Sequence, residues 1–149
     1  MSTLHVGSWA IDYDAEATAR CARAIRAGAP EICGCADCRR FAAARTSAYP
    51  AKFVELLRTL GTQPNFETEI AYFGEVSPGH HKYGGWFHVV GKLIAGPDAK
   101  ATPPSLHVEP LAGSLEIGFT NARDLAPGAF EGHQLVQIEF VIDVIVQKE

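Results

Sequence analysis

Apolar positions along this chain recur first at helical spacing and then, beyond residue 61, at every second position. A short opening run precedes both: Leu4 to Tyr13 alternates, with Trp9, Ile11 and Tyr13 on one side, and predicts a strand. Asp12 or Asp14 then caps a helix over 14–27, in which Ala17, Cys21, Ala24, Ile25 and Gly28 share one face and Arg20, Arg23 and Arg26 turn outward. Gly28 and Pro30 end it. A second helix is predicted over 37–45, with Cys38, Phe41 and Ala42 inward. Tyr49-Pro50 opens a third, whose stripe is Phe53, Leu56, Leu57 and Leu60 and whose stop is Gly61.

From there the period is that of a strand. Segments 69–75, 80–94, 106–109, 114–121 and 134–146 alternate or carry apolar runs, and Ser77-Pro78-Gly79 reads as a turn. Gly84-Gly85 predicts a bend, a bulge, or a place where a bulky neighbour crosses the strand. Residues 95–105, with three prolines, form a loop rather than a linker, because the roughly 45 residues after it are few for an independent domain. The last strand sets Val136, Ile138, Phe140, Ile142, Val144 and Val146 on a buried side and Gln137, Glu139 and Asp143 on a partly wet one. Such alternation favours antiparallel pairing. The expectation is a single α+β domain over 1–149: an antiparallel sheet of five or six strands, with three helices from the N-terminal half packed on one face.

Composition sharpens this picture in two ways. An apolar content of 47% is enough for a core without disulfide staples. The net charge of −4 argues against a nucleic-acid or anionic-membrane partner, either of which calls for a basic face. Residues 69–149 hold the acidity, with ten Asp and Glu against five Lys and Arg, which reads as a solvated surface. The first residues lack the charged start and apolar run of a secretory signal, and no stretch approaches the roughly 20 apolar residues of a membrane span. A cytoplasmic protein is expected, with a homo-oligomer left open.

Chemistry concentrates at Cys33-Gly34-Cys35-Ala36-Asp37-Cys38. Three of the four cysteines fall within six residues, a spacing that turns several sulfurs toward one ion. In a reducing compartment such a cluster points to metal rather than to disulfides, and zinc is the expected cofactor. Zinc takes four ligands in a structural site, or three and a water in a catalytic one. The fourth donor is sought among His88, His80, His81, Cys21 and water. His88 is the first choice, as it lies on a strand that could face the cysteine loop; the alternative is an interior imidazole bonded to a backbone carbonyl. Cys21 reads as core packing. A structural site is favoured over a catalytic one, because the cysteines follow a helix and no cleft is evident.

Rival readings are weaker. Cys35-x-x-Cys38 at a helix start also suits dithiol exchange, but the aromatic-Gly-Pro spacer is absent and Cys33 is surplus to a two-electron couple. A Cys38/His88 nucleophilic pair lacks an oxyanion hole, and an iron-sulfur cluster would need Cys21 as its fourth thiolate. His107 and Glu109, two apart on a strand, face the same way and could form an acid-base or metal pair. Zinc deaminases combine H-x-E with P-C-x-x-C, but here the order is reversed and no proline adjoins the cysteine. Phosphate loops, dinucleotide fingerprints and hydrolase elbows are all missing. Neither an activity nor a substrate is named by any motif; reduced, unligated cysteines beside a small-molecule site remain an alternative.

Cys33-x-Cys35-x-x-Cys38-Arg39-Arg40-Phe41, the run from Tyr49 to Gly61, and Tyr83-Gly84-Gly85-Trp86-Phe87-His88-Val89-Val90-Gly91 together resemble a group of small uncharacterised bacterial proteins. The resemblance covers roughly residues 5–95 and the last strand. It implies a bacterial origin and one compact domain, and it transfers no activity.

Overall fold

The computed structural model describes residues 1–146. Its strands form one antiparallel sheet of seven: β1 (Ser2–Val6), β2 (Trp9–Tyr13), β3 (Glu69–Ser77), β4 (His80–Ala95), β5 (Glu109–Ala112), β6 (Leu115–Thr120) and β7 (Leu135–Ile145). Four helices accompany them: α1 (Ala15–Ala22), α2 (Ala29–Cys33), α3 (Ala36–Ala48) and α4 (Ala51–Thr59), with a 3₁₀ turn at Gly128–Phe130. The broad α+β expectation stands, with one more strand and one more helix than the upper expected numbers.

The sheet is organised on β4, whose 16 residues pair on both edges. Along one edge β7 follows it without a break from His80↔Ile145 to Val90↔Leu135. Along the other, β3 covers 80–86 and β2 covers 91–95, leaving a gap that α1 fills. There Val90 donates its N–H to Thr18 Oγ1 at 2.9 Å, and its carbonyl accepts from Asp14 N at 2.9 Å. Both backbone groups of Val90 are thus paired where β4 changes partner.

Alternation along β4 and β7 sorts the two faces. Phe87, Val89, Ile138 and Phe140 meet Phe41 of α3, Phe53 and Leu57 of α4, and Tyr49 between those helices in one buried cluster. Its rings pack edge-on or tilted, with Tyr49, Phe53, Phe87 and Phe140 centroids 5.1–6.3 Å apart, the arrangement aromatic quadrupoles favour.

Three expectations are corrected here. The helices do not share one face: α1 joins Val90, Leu135 and Phe130 in a second cluster, built from the strand positions that point the other way. The opening strand is a hairpin, because Gly7 at φ 54° turns the chain between Val6 and Trp9. The glycine pair is not bulged and pairs regularly with Ile70 and Ala71; the register breaks lie nearer the turn, on β3 between Tyr72 and Gly74 and between Glu75 and Ser77. The expected crossing neighbour is real. A side chain on Gly84 would lie 2.6 Å from the Phe73 ring, and one on Gly85 would lie 2.1 Å from the Glu69 carbonyl oxygen.

Gly85→Ala should therefore cost about 2 kcal/mol in urea unfolding, since the obstacle is backbone that cannot rotate away. Gly128→Ala, which meets nothing within 4 Å, should stay within about 0.5 kcal/mol of the parent. Equal stability of the two variants would contradict the close approach of β3 to β4.

Candidate metal centre

The cysteines sit where one helix ends and the next begins. Pro30 fits the first turn of α2, where its missing N–H has no partner to lose. Gly34 closes α2 at φ 66°, a left-handed backbone that glycine adopts without strain, and its N–H reaches Pro30 O. Cys35 is then the N-cap of α3, and its Sγ accepts from Cys38 N at 3.4 Å. The reversal at Gly34 and the one-turn spacing from Cys35 to Cys38 bring all three sulfurs within 4.8 Å of one another.

Tetrahedral zinc, with Zn–S about 2.3 Å, sets sulfurs about 3.8 Å apart, so shifts under about 1 Å would seat one ion. Cys33, Cys35 and Cys38 thus lie close enough to hold a metal ion. All three are free thiols. Cys33 and Cys35 are exposed and Cys38 is buried.

Electrostatics separates the thiols. The Cys38 N–H, and after it the neighbouring Cys33 and Cys38 thiols, draw the Cys35 thiol below its usual range. Burial first, and then the Cys35 and Cys33 thiols, push Cys38 up to about 12. Three thiolates this close repel one another, so the set ionises fully only around a positive charge. A divalent cation supplies one.

Behind the cysteines stands an ion network. Arg45 of α3 donates through Nε to Glu67 Oε2 at 2.8 Å and through Nη2 to both oxygens of Glu31 on α2 at 2.8 and 2.9 Å. The Tyr49 hydroxyl donates to Glu67 Oε2 at 2.7 Å, and the Glu67 carbonyl accepts from Ala29 N at 2.9 Å. The Glu67 side chain is fully buried, and burial raises its pKa against the opposing pull of Arg45. This brace sets the position of α2 against α3, and hence of Cys33 against Cys38.

The other predicted donors lie elsewhere. His88 was the expected fourth ligand; instead it is 2% exposed on the face opposite the aromatic cluster, with Nδ1 2.8 Å from Thr68 Oγ1 and Nε2 2.9 Å from Gln137 Oε1. Both ring nitrogens are occupied, which removes it from the cysteine group. His81 pairs with the Tyr72 hydroxyl at 2.7 Å beside the β3–β4 turn, and Cys21, on α1, is buried in the second cluster. Among the described residues, the metal-competent group of His, Cys, Asp and Glu consists of the three cysteines. His107 and Glu109 do meet, at 3.2 Å, but Ser8 takes both Glu109 oxygens, through Oγ at 2.6 Å and N at 3.0 Å. That carboxylate anchors the β1–β2 turn.

Sequence reasoning missed the surroundings of His88. Gln137 and Glu139 were expected on a partly wet face, yet they are 0% and 5% exposed. Segment 96–108 crosses over Gly118 of β6, and Lys100 reaches Asp124 above the Trp86 ring. Gln137 Nε2 donates to Asp124 Oδ2 at 3.1 Å and to Glu139 Oε2 at 2.9 Å. Every buried polar side-chain atom among the described residues has a partner. A groove of about 1070 Å³ between α4 and residues 63–65, lined by Arg45, Tyr49 and Arg58, contains none of the cysteines.

Compared with known protein families, with curated proteins and with solved structures, the chain finds no match. No described helix is long and apolar enough to cross a membrane.

Two outcomes follow from these networks. Arg45→Met removes the cation facing a buried carboxylate and should cost about 3–5 kcal/mol by denaturant unfolding; a change under about 1 kcal/mol would show the pair to be dispensable. Burial lowers the His88 pKa from 6.5 to about 4. The unfolded chain therefore binds a proton that the folded one refuses, and stability falls as pH drops from about 6.5 to about 4. At about 1.4 kcal/mol per unit, His88 accounts for about 3 kcal/mol of that fall. Glu139, whose pKa is raised by burial, acts in the opposite sense, in the parent and in a His88→Gln variant alike. His88→Gln should flatten the loss between pH 7 and pH 4.5, and parallel stability curves would refute this assignment.

Proposed function

We propose that this chain binds zinc through the thiolates of Cys33, Cys35 and Cys38, at a site open to solvent. The observation that carries the reading is the approach of three sulfurs within 4.8 Å, two of them exposed, across a helix junction. Thiolate donors select zinc, copper(I) or iron-sulfur centres, and three thiolates within six residues leave an iron-sulfur cluster short of its usual four. Cytoplasmic location and bacterial origin belong to the same proposal. The closed structural form expected from the sequence needs a fourth protein donor, and the group supplies three; this favours a site with a free position.

A second reading draws on the inequality of the thiols. Cys35, with its lowered pKa, is the nucleophile of a dithiol pair and Cys38 its buried partner. The two readings part on one preparation. Metal analysis of freshly purified protein should give one zinc per chain, and serine at any of the three cysteines should weaken binding at least about tenfold in a chelator competition. Zinc near zero, with Cys35 alkylated by iodoacetamide well below pH 8 in folded protein, would replace the metal reading with the dithiol one.

A further inference from the structure

The cysteine cluster and its surroundings carry one step more. Its three donors are all on one short turn, so an ion held there lacks a fourth ligand from the described residues. Cys38 is buried beneath it, whereas Cys33 and Cys35 are exposed and Ile32 beside them is 77% exposed. Arg39, itself exposed, donates through Nη1 at 2.6 Å to the carbonyl of Gly34, the residue between Cys33 and Cys35. Arg40 is engaged by Asp37 at 3.0 Å and by the Tyr83 hydroxyl at 3.1 Å, so its charge is directed inward to the sheet. Arg39, by contrast, is exposed.

From this arrangement we propose that the fourth ligand comes from outside the chain and is a low-molecular-weight thiolate. The inference rests on the metal reading above and deepens it. A dication with three thiolates carries a net charge of −1, which by itself discourages a further anion; the Arg39 guanidinium offsets that charge at the side from which the ligand arrives. A soft thiolate suits the same ion that three thiolates select. The step is a substitution: the incoming thiol gives its proton to solvent, its sulfur bonds to the metal, and a bound water leaves. No electrons are transferred.

Cobalt(II) in place of zinc makes each arm visible. Full-length protein is loaded with one equivalent of cobalt, and its sulfur-to-metal charge-transfer band is followed as 2-mercaptoethanol or glutathione is added without oxygen. Saturable growth of the band by about one third is expected, as three metal-sulfur bonds become four. Arg39→Ala, once loaded with cobalt, should need several-fold more thiol than the loaded parent for half-saturation. A cobalt spectrum that thiol leaves unchanged would overturn the proposal while keeping the metal site. So would thiol that strips the metal, or a four-thiolate spectrum before any addition in a protein that runs as a metal-dependent dimer. Failure to bind cobalt or zinc at all would instead defeat the metal reading.

Discussion

A single buried carboxylate holds the helical layer to the sheet. Glu67, fully buried just ahead of β3, meets Arg45 at 2.8 Å and the Tyr49 hydroxyl at 2.7 Å, while its own carbonyl takes the Ala29 N–H. An unpaired carboxylate there would be prohibitive, so the arginine must stay, and α3 must present it. Because Arg45 also grips Glu31, α2 is drawn to the same point. Tyr49 couples this polar knot to the aromatic cluster, packing against Phe41, Phe53, Phe87 and Phe140. The exposed thiols thus hang from one of the most tightly specified places in the fold.

The sheet's two faces are held by different physics. Toward α3 and α4 the contacts are almost wholly apolar, and volume and ring geometry determine the fit. On the other face, His88, Gln137 and Glu139 form a polar layer whose hydrogen bonds must all be made at once. Gln137 serves as its hub, since one amide accepts from His88 and Asp124 N through its oxygen and donates to two carboxylates through its nitrogen. Lys100 answers the two acids from the segment that closes over them. Such a layer specifies register where apolar residues would tolerate slippage, and β4 keeps its register with β7 across eleven pairs.

Much of this was readable in the chain, and what was not has a common origin. The stripe Phe53, Leu56, Leu57, Leu60 announced α4, and the even positions of β7 announced the aromatic face, because both depend on local periodicity alone. Leu115, Ile117 and Phe119 did the same for β6. By contrast, the Gly28-x-Pro30 pair read as a stop, although the proline occupies the first turn of α2. Gln137 and Glu139 read as wet because the segment that covers them lies about thirty residues away, and nothing in their own alternation reports it. Glu67 had no pattern around it at all. Histidine's many chemistries made His88 attractive as a ligand, whereas its strand placement put it among hydrogen-bond partners on the far face. The cysteine cluster survived because its donors are local, and spacing could therefore determine their approach.

That same locality bears on what a metal would do if held here. A metal stabilises a fold to the extent that it binds the native state in preference to the unfolded chain. In a site whose ligands come from distant segments, unfolding scatters them and the whole binding energy supports the fold. Here six residues hold all three sulfurs, and an unfolded chain can still wrap them round an ion at a small loop-closure cost. The native advantage is confined to the αL turn at Gly34, the cap at Cys35 and the Arg45 brace. The core of aromatic rings and the polar layer of β7 stand without reference to the sulfurs. A cluster placed at the surface, with two exposed thiols and little leverage over the fold, is better suited to meeting another ligand than to stapling this chain together.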